Sequence, residues 1–261
     1  MPTEKNQIER PTVSIWQAES LRFTIFPLPT VVIGEPTWWQ DLIGELPEKR
    51  VATPKRGVLQ EEGNFDGGRL ILNIQPMRID WLLTTGSGQE GGLETFPNVG
   101  PFAESLKTFL ALIDRWIQSE TFPPVKRVAL GAVLLQPVES KQLAYERLAK
   151  YLPKVELDAS NSSEFFYQIN RPRASTSGIA KLKINRLSKW SVMSWRSAVV
   201  AVTPVSLEQA AMGPEVFTCR LELDINTAPD FSEMLPREML PRILQELANV
   251  GQEIAQDGDV L

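Results

Sequence analysis

Between residues 57 and 85 apolar side chains return at every second position in three successive stretches, a pattern that a strand buries on one face and a helix does not. The first runs from Val58 to Glu62. A turn at Asp66-Gly67-Gly68 leads into Leu70, Leu72 and Ile74, and Pro76 introduces Met77, Ile79, Trp81 and Leu83. The spacing predicts an antiparallel meander. Leu21, Phe23 and Ile25 alternate with Arg22 and Thr24 before Pro27 and Pro29 in the same way. Residues 216–226 alternate most strictly, with Phe217, Cys219, Leu221, Leu223 and Ile225 on one face and Thr218, Arg220, Glu222 and Asp224 on the other. A sheet with one apolar and one polar face follows, and something must cover the apolar face.

Helical spacing supplies that cover. Phe102, Leu106, Phe109, Leu110, Ile113 and Ile117 mark a helix over 101–118 behind Pro101, and Ala144, Leu148 and Leu152 mark another over 139–152, ended by Pro153. The last lies within 236–256 with Leu240, Ile243, Leu244, Leu247, Val250 and Ile254 inward, and a short one over 36–46 holds Trp38, Trp39, Leu42 and Ile43. Further strands are expected over 125–136, 164–170, 180–187 and 190–202. The fold expected is α+β, a largely antiparallel sheet with helices packed mainly on one face. Two similar lobes, 1–152 and 163–261, or one continuous domain are both admissible at this length.

Short segments carry a family resemblance: Ile8-x-x-Pro-x-Val13, Glu19-x-Leu-Arg-Phe23, Tyr167-x-Ile-Asn-Arg171 and Leu221-x-Leu-Asp-Ile225. In these the chain resembles a sporadically distributed, functionally uncharacterised prokaryotic protein family of similar length. The resemblance implies a bacterial or archaeal cytoplasmic protein and carries over no reaction and no site residues.

Composition removes several chemistries. The chain contains no histidine and one cysteine, which excludes Ser-His-Asp and Cys-His catalysis, an internal disulfide and a structural zinc site. Cys219 falls on the apolar side of its strand and reads as core. Residues 1–10 are polar and of mixed charge, unlike a secretory signal, and no apolar run approaches the ~20 residues of a spanning helix. A cytoplasmic protein without membrane contact is expected. The glycine-rich stretch 86–92 lacks the Lys-Ser/Thr pair of a phosphate loop, and no cofactor is implied.

Charge is distributed unevenly. From residue 165 to residue 207 none of the 32 acidic residues occurs, while Arg171, Arg173, Lys181, Lys183, Arg186, Lys189 and Arg196 contribute seven of the 27 basic ones. Such a band could meet an acidic protein or a nucleic acid, with Tyr167, Trp190 and Trp195 as stacking surfaces. The expectation is therefore a non-catalytic binding protein that contacts an acidic protein or a nucleic acid, with a structural subunit of a homo-oligomer as one alternative. It requires the seven cations to share an accessible surface and to lack internal counter-ions; otherwise they pair with the acidic remainder inside the fold or at a homo-oligomer contact. The alternative from a different class is a Mg²⁺-dependent phosphodiesterase, with Asp80, Glu222 and Asp224 as oxygen ligands. Against it stands a plain polar sheet face on which Arg220 neutralises its neighbours.

Overall fold

A computed structural model describes residues 15–28, 36–86, 96–199 and 211–259. Among these the first half supplies strands β1 (Gln17–Pro27), β2 (Lys49–Thr53), β3 (Val58–Phe65), β4 (Gly68–Gln75), β5 (Arg78–Thr84) and β6 (Val125–Val138), with helices α1 (Trp38–Ile43), α2 (Phe102–Gln118) and α3 (Lys141–Tyr151). The second half adds β7 (Phe166–Asn170), β8 (Arg173–Ala174), β9 (Lys183–Val199), β10 (Ala211–Thr227) and helix α4 (Leu240–Asp257). The strands form one sheet in the order β2-β3-β4-β5-β1-β6-β10-β9-β7, with β8 also on β9. Every pairing is antiparallel.

The expected α+β architecture is present. The sheet passes without interruption across the boundary between the two possible lobes, because β6 of the first half pairs with β10 of the second from Val138↔Phe217 to Ala129↔Asn226. One apolar core serves both halves.

Period two decides which residues meet the helices. Leu21, Phe23, Ile25, Trp81, Leu221 and Ile225 are fully buried on the face where Trp116 of α2 packs edge-on to Phe23 and Trp81, with centroids 6.3 and 5.9 Å apart. Trp39 of α1 stacks on Trp81 at 6.0 Å. Farther along the same face, the Cys219 thiol donates to the Ala144 carbonyl of α3, and Trp190 stacks on Tyr151 at 5.5 Å. The tryptophans serve mainly as core: six of the seven, Trp16, Trp38, Trp39, Trp81, Trp116 and Trp190, lie buried. Gly258 closes α4 at φ 80°, against the Tyr151 carbonyl where a Cβ has no room. The next residue, Asp259, donates its N–H to that carbonyl at 2.9 Å.

Three local expectations are corrected. Residues 183–199 form one strand instead of two, because Ser188 turns inward and accepts a hydrogen bond from Trp190 Nε1 at 3.0 Å, which lets a polar pair lie inside the strand. Met77 sits in the β4–β5 turn, 63% exposed, and leaves the apolar face to Ile79 onward. Strand β2, whose five residues are all exposed, carries no alternation and was not anticipated. The stretch 87–95 lies outside the described residues.

Candidate functional site

Six of the seven cations of the acid-free segment find acids elsewhere in the fold. Arg171 grips Asp259 with two nitrogens, Nη2 donating to Oδ2 at 2.7 Å, and Tyr167 donates its hydroxyl to the same carboxylate at 3.0 Å. The Arg171 guanidinium holds the Asp259 carboxyl below the usual aspartate range. Arg173 and Arg186 share Glu253 of α4, each at 3.1 Å. Lys183 lies 3.7 Å from Asp230, Lys189 3.4 Å from Glu222, and Arg196 2.7 Å from Glu215. Lys181, in a left-handed turn at φ 64°, is exposed and has no partner among the described residues.

These residues also do not share a surface. Arg186 points to the helix side, where it is buried, whereas Lys189, three positions on, points to the opposite face. The physical reason is topological: a run free of acids along the chain acquires acidic neighbours once β9 lies beside β10 and beneath α4. The aromatic platform dissolves in the same way. Trp190 is fully buried, Tyr167 is tied to Asp259, and Trp195 packs against Phe96 at 6.1 Å.

The carboxylates of the metal alternative do not converge. Strands β1 and β6 lie between β5 and β10, so Asp80 stands three strand spacings, ~14 Å, from the strand of Glu222 and Asp224, beyond the reach of ligands that must lie ~2.1 Å from one Mg²⁺. Asp80 is committed to Thr24 and to both Nε and Nη2 of Arg78. Glu222 is committed to Arg220 and Lys189. Among the described residues no three acidic or cysteine side chains form a metal-binding group.

Glu222 and Asp224 instead line a pocket of about 170 Å³ on the sheet face opposite the helices. The register builds it row by row. Leu187 of β9, Asp224 of β10, Gly131 of β6, Arg22 of β1 and Leu82 of β5 lie side by side across five strands. Lys189, Glu222, Val133 and Ser20 form the adjoining row. All nine residues line the cavity.

Arg22 is the anomaly of this face. Its Nε is sealed from solvent without a hydrogen-bond partner, and the side chain makes no ion pair among the described residues. Arg173, Arg186 and Arg220 also have a shielded Nε, but each reaches a carboxylate within 4.0 Å. The Arg22 guanidinium lies over Gly131, where a Cβ would stand 3.4 Å from Nη2 and 3.6 Å from Nε. Beyond Gly131, Asp224 accepts a hydrogen bond from Asn226 Nδ2 at 3.0 Å and has no ion pair among the described residues. Its field reaches Arg78 and Arg127, but Arg78 is bound to Asp80, and Arg127 donates to Asn226 and to the Thr227 carbonyl.

Sequence reasoning placed Arg22 on the polar face of its strand and went no further. The available signal was a lone arginine among Leu21, Phe23, Thr24 and Ile25, together with a glycine inside the apolar run of β6. That the two stand opposite each other is a fact of register, invisible before the strands are paired.

Fold and site together define an antiparallel α+β protein with one helix-covered face and one open polar face bearing an arginine-containing pocket. No family model, curated protein or solved structure matches the chain. Among the described residues no helix is long and apolar enough to cross a membrane.

Proposed function

We propose that this is a non-catalytic binding protein whose working surface is the open sheet face, where Arg22 holds the anionic group of a ligand and Lys189 stands at the rim. The observation that carries the reading is the Arg22 guanidinium, whose Nε is shielded from solvent and which has no partner among the described residues. A shielded donor without a partner costs about 1–3 kcal/mol, and a carboxylate or phosphate oxygen recovers that cost through charge-assisted, bidentate hydrogen bonds. Binding is preferred to catalysis because the chain has no histidine and its one thiol lies in the helix-side core. Burial pushes that thiol, Cys219, up to about 12.

The wider notion of an acidic protein or nucleic acid held by Arg171, Arg173, Lys181, Lys183, Arg186, Lys189 and Arg196 loses its support, since six of the seven already face a carboxylate within 4.0 Å. Few free cations remain there to release counter-ions from a polyanion.

The test is thermal stabilisation by a panel of small carboxylates, α-amino acids among them, and by inorganic phosphate, with wild type beside Arg22→Ala and Arg22→Lys. At least one probe should stabilise the wild type, lose its effect with Ala and weaken about tenfold with Lys, which cannot make the planar two-point contact. A panel without effect on the wild type, or one acting equally on Arg22→Ala, contradicts the proposal.

A further inference from the structure

We infer that the ligand of this pocket is a small zwitterion of the α-amino acid type, with its carboxylate on Arg22 and its ammonium on Asp224; the inference rests on the anion-binding reading of Arg22 and extends it to the other end of the ligand. Three observations support it. First, the two charged groups of the pocket that lack an ion-pair partner among the described residues have opposite sign. They sit on either side of Gly131, and their strands are two spacings, ~10 Å, apart. The long Arg22 side chain covers part of that span, yet guanidinium and carboxylate come no closer than the 4.0 Å of an ion pair. A ligand bearing both charges would meet a complementary group on each side of Gly131.

Second, the pocket balances its own charge. Arg22 and Lys189 face Glu222 and Asp224, and Lys189 already lies 3.4 Å from Glu222. A phosphate dianion would meet two carboxylates in this space, whereas a net-neutral ligand with separated charges meets one complementary group at each end.

Third, the remaining lining limits the side chain. Leu82, Leu187 and Val133 form apolar walls. A volume of about 170 Å³ is close to the ~150 Å³ that accommodates benzene. The part of the ligand held inside this open-mouthed pocket is thus the size of a short aliphatic amino acid.

The test titrates L-alanine, L-valine and L-leucine separately into the full chain, followed by isovalerate and isobutylamine, which remove the ammonium and the carboxylate of valine in turn. At least one amino acid should bind, and each truncated probe should bind at least about tenfold more weakly. Asp224→Asn should reduce valine to the affinity of isovalerate while leaving isovalerate itself unweakened, and Arg22→Ala should remove both. Isovalerate binding as tightly as valine overturns the zwitterion and leaves the anion site standing. Isobutylamine binding as tightly, and indifferent to Arg22→Ala, overturns both. If none of the three amino acids binds, the zwitterion is overturned, and the anion site then stands or falls on whether isovalerate or phosphate binds in an Arg22-dependent way.

Discussion

Arg22 on β1 and Asp224 on β10 confront each other across Gly131 without forming an ion pair. Elsewhere on this face Lys189 pairs with Glu222, Arg78 pairs with Asp80, and Arg127 is held by Asn226 and the Thr227 carbonyl, whereas these two opposite charges left apart mark a space shaped for something else. The absence of a Cβ on the intervening strand is what opens that space.

Gly131 should therefore matter more for binding than for folding. An added methyl would stand 3.4 Å from both Arg22 Nη2 and the Leu223 carbonyl, ordinary contact with each, so the fold can accept the methyl while it takes up pocket space beside the guanidinium. Gly131→Ala is expected to change unfolding free energy by less than about 1 kcal/mol and to weaken the pocket's ligand about tenfold or more. Denaturant unfolding and titration of the same preparation check both.

Asp259 should make the docking of the α4 C-terminus sensitive to acid. Arg171 depresses its carboxyl in the folded state, and Tyr167 adds a hydrogen bond to the charged form. A depressed folded value contributes stability that is present above the ordinary aspartate value of ~3.9 and is lost as pH falls through the folded one. Wild type should exceed Asp259→Asn in stability at about pH 7, and the gap should narrow below about pH 4. Denaturation midpoints across that range measure it.

Glu253 receives two guanidiniums of unequal exposure. The Arg186 side chain is 7% exposed and the Arg173 side chain 35%, so only Arg173 can be rehydrated cheaply once its partner is gone. Glu253→Ala should cost about 1–3 kcal/mol, and Arg173→Ala less than about 1 kcal/mol. Equal losses in chemical denaturation would contradict this account of the α4 clasp.

Cys219 should behave as an inert core residue. It is fully buried, donates to the Ala144 carbonyl, and has its thiol pushed up to about 12 by burial. Alkylation by iodoacetamide should be undetectable in the native protein at mildly alkaline pH and complete after denaturation.

The sheet was legible where alternation is strict. Residues 58–84 and 216–226 read directly as strands because one face is apolar and the other polar, and the four helices followed from their apolar stripes. Lys49–Thr53 was not legible because all its residues are exposed on an edge strand. Residues 183–199 read as two strands because Ser188 and Lys189 interrupt the apolar pattern, although Trp190 satisfies the inward serine. The site was legible only in part. Glu222 and Asp224 stood out as a carboxylate pair on one strand face, and both line the pocket. The seven-cation segment misled because its counter-ions come from β10, the loop after it, α4 and Asp259, remote in sequence. Arg22 escaped notice because its meaning depends on Gly131 and Asp224, which only the strand order brings beside it.

Engagement of a ligand by Arg22 is tested most directly by the Arg22 Nε–H resonance in a ¹H–¹⁵N spectrum, assigned by its loss in Arg22→Lys. The resonance should move saturably as an amino acid or carboxylate from the panel is added, following the occupancy measured by titration. A resonance that stays fixed while the probe saturates the protein, or a panel from which nothing binds, would contradict the claim.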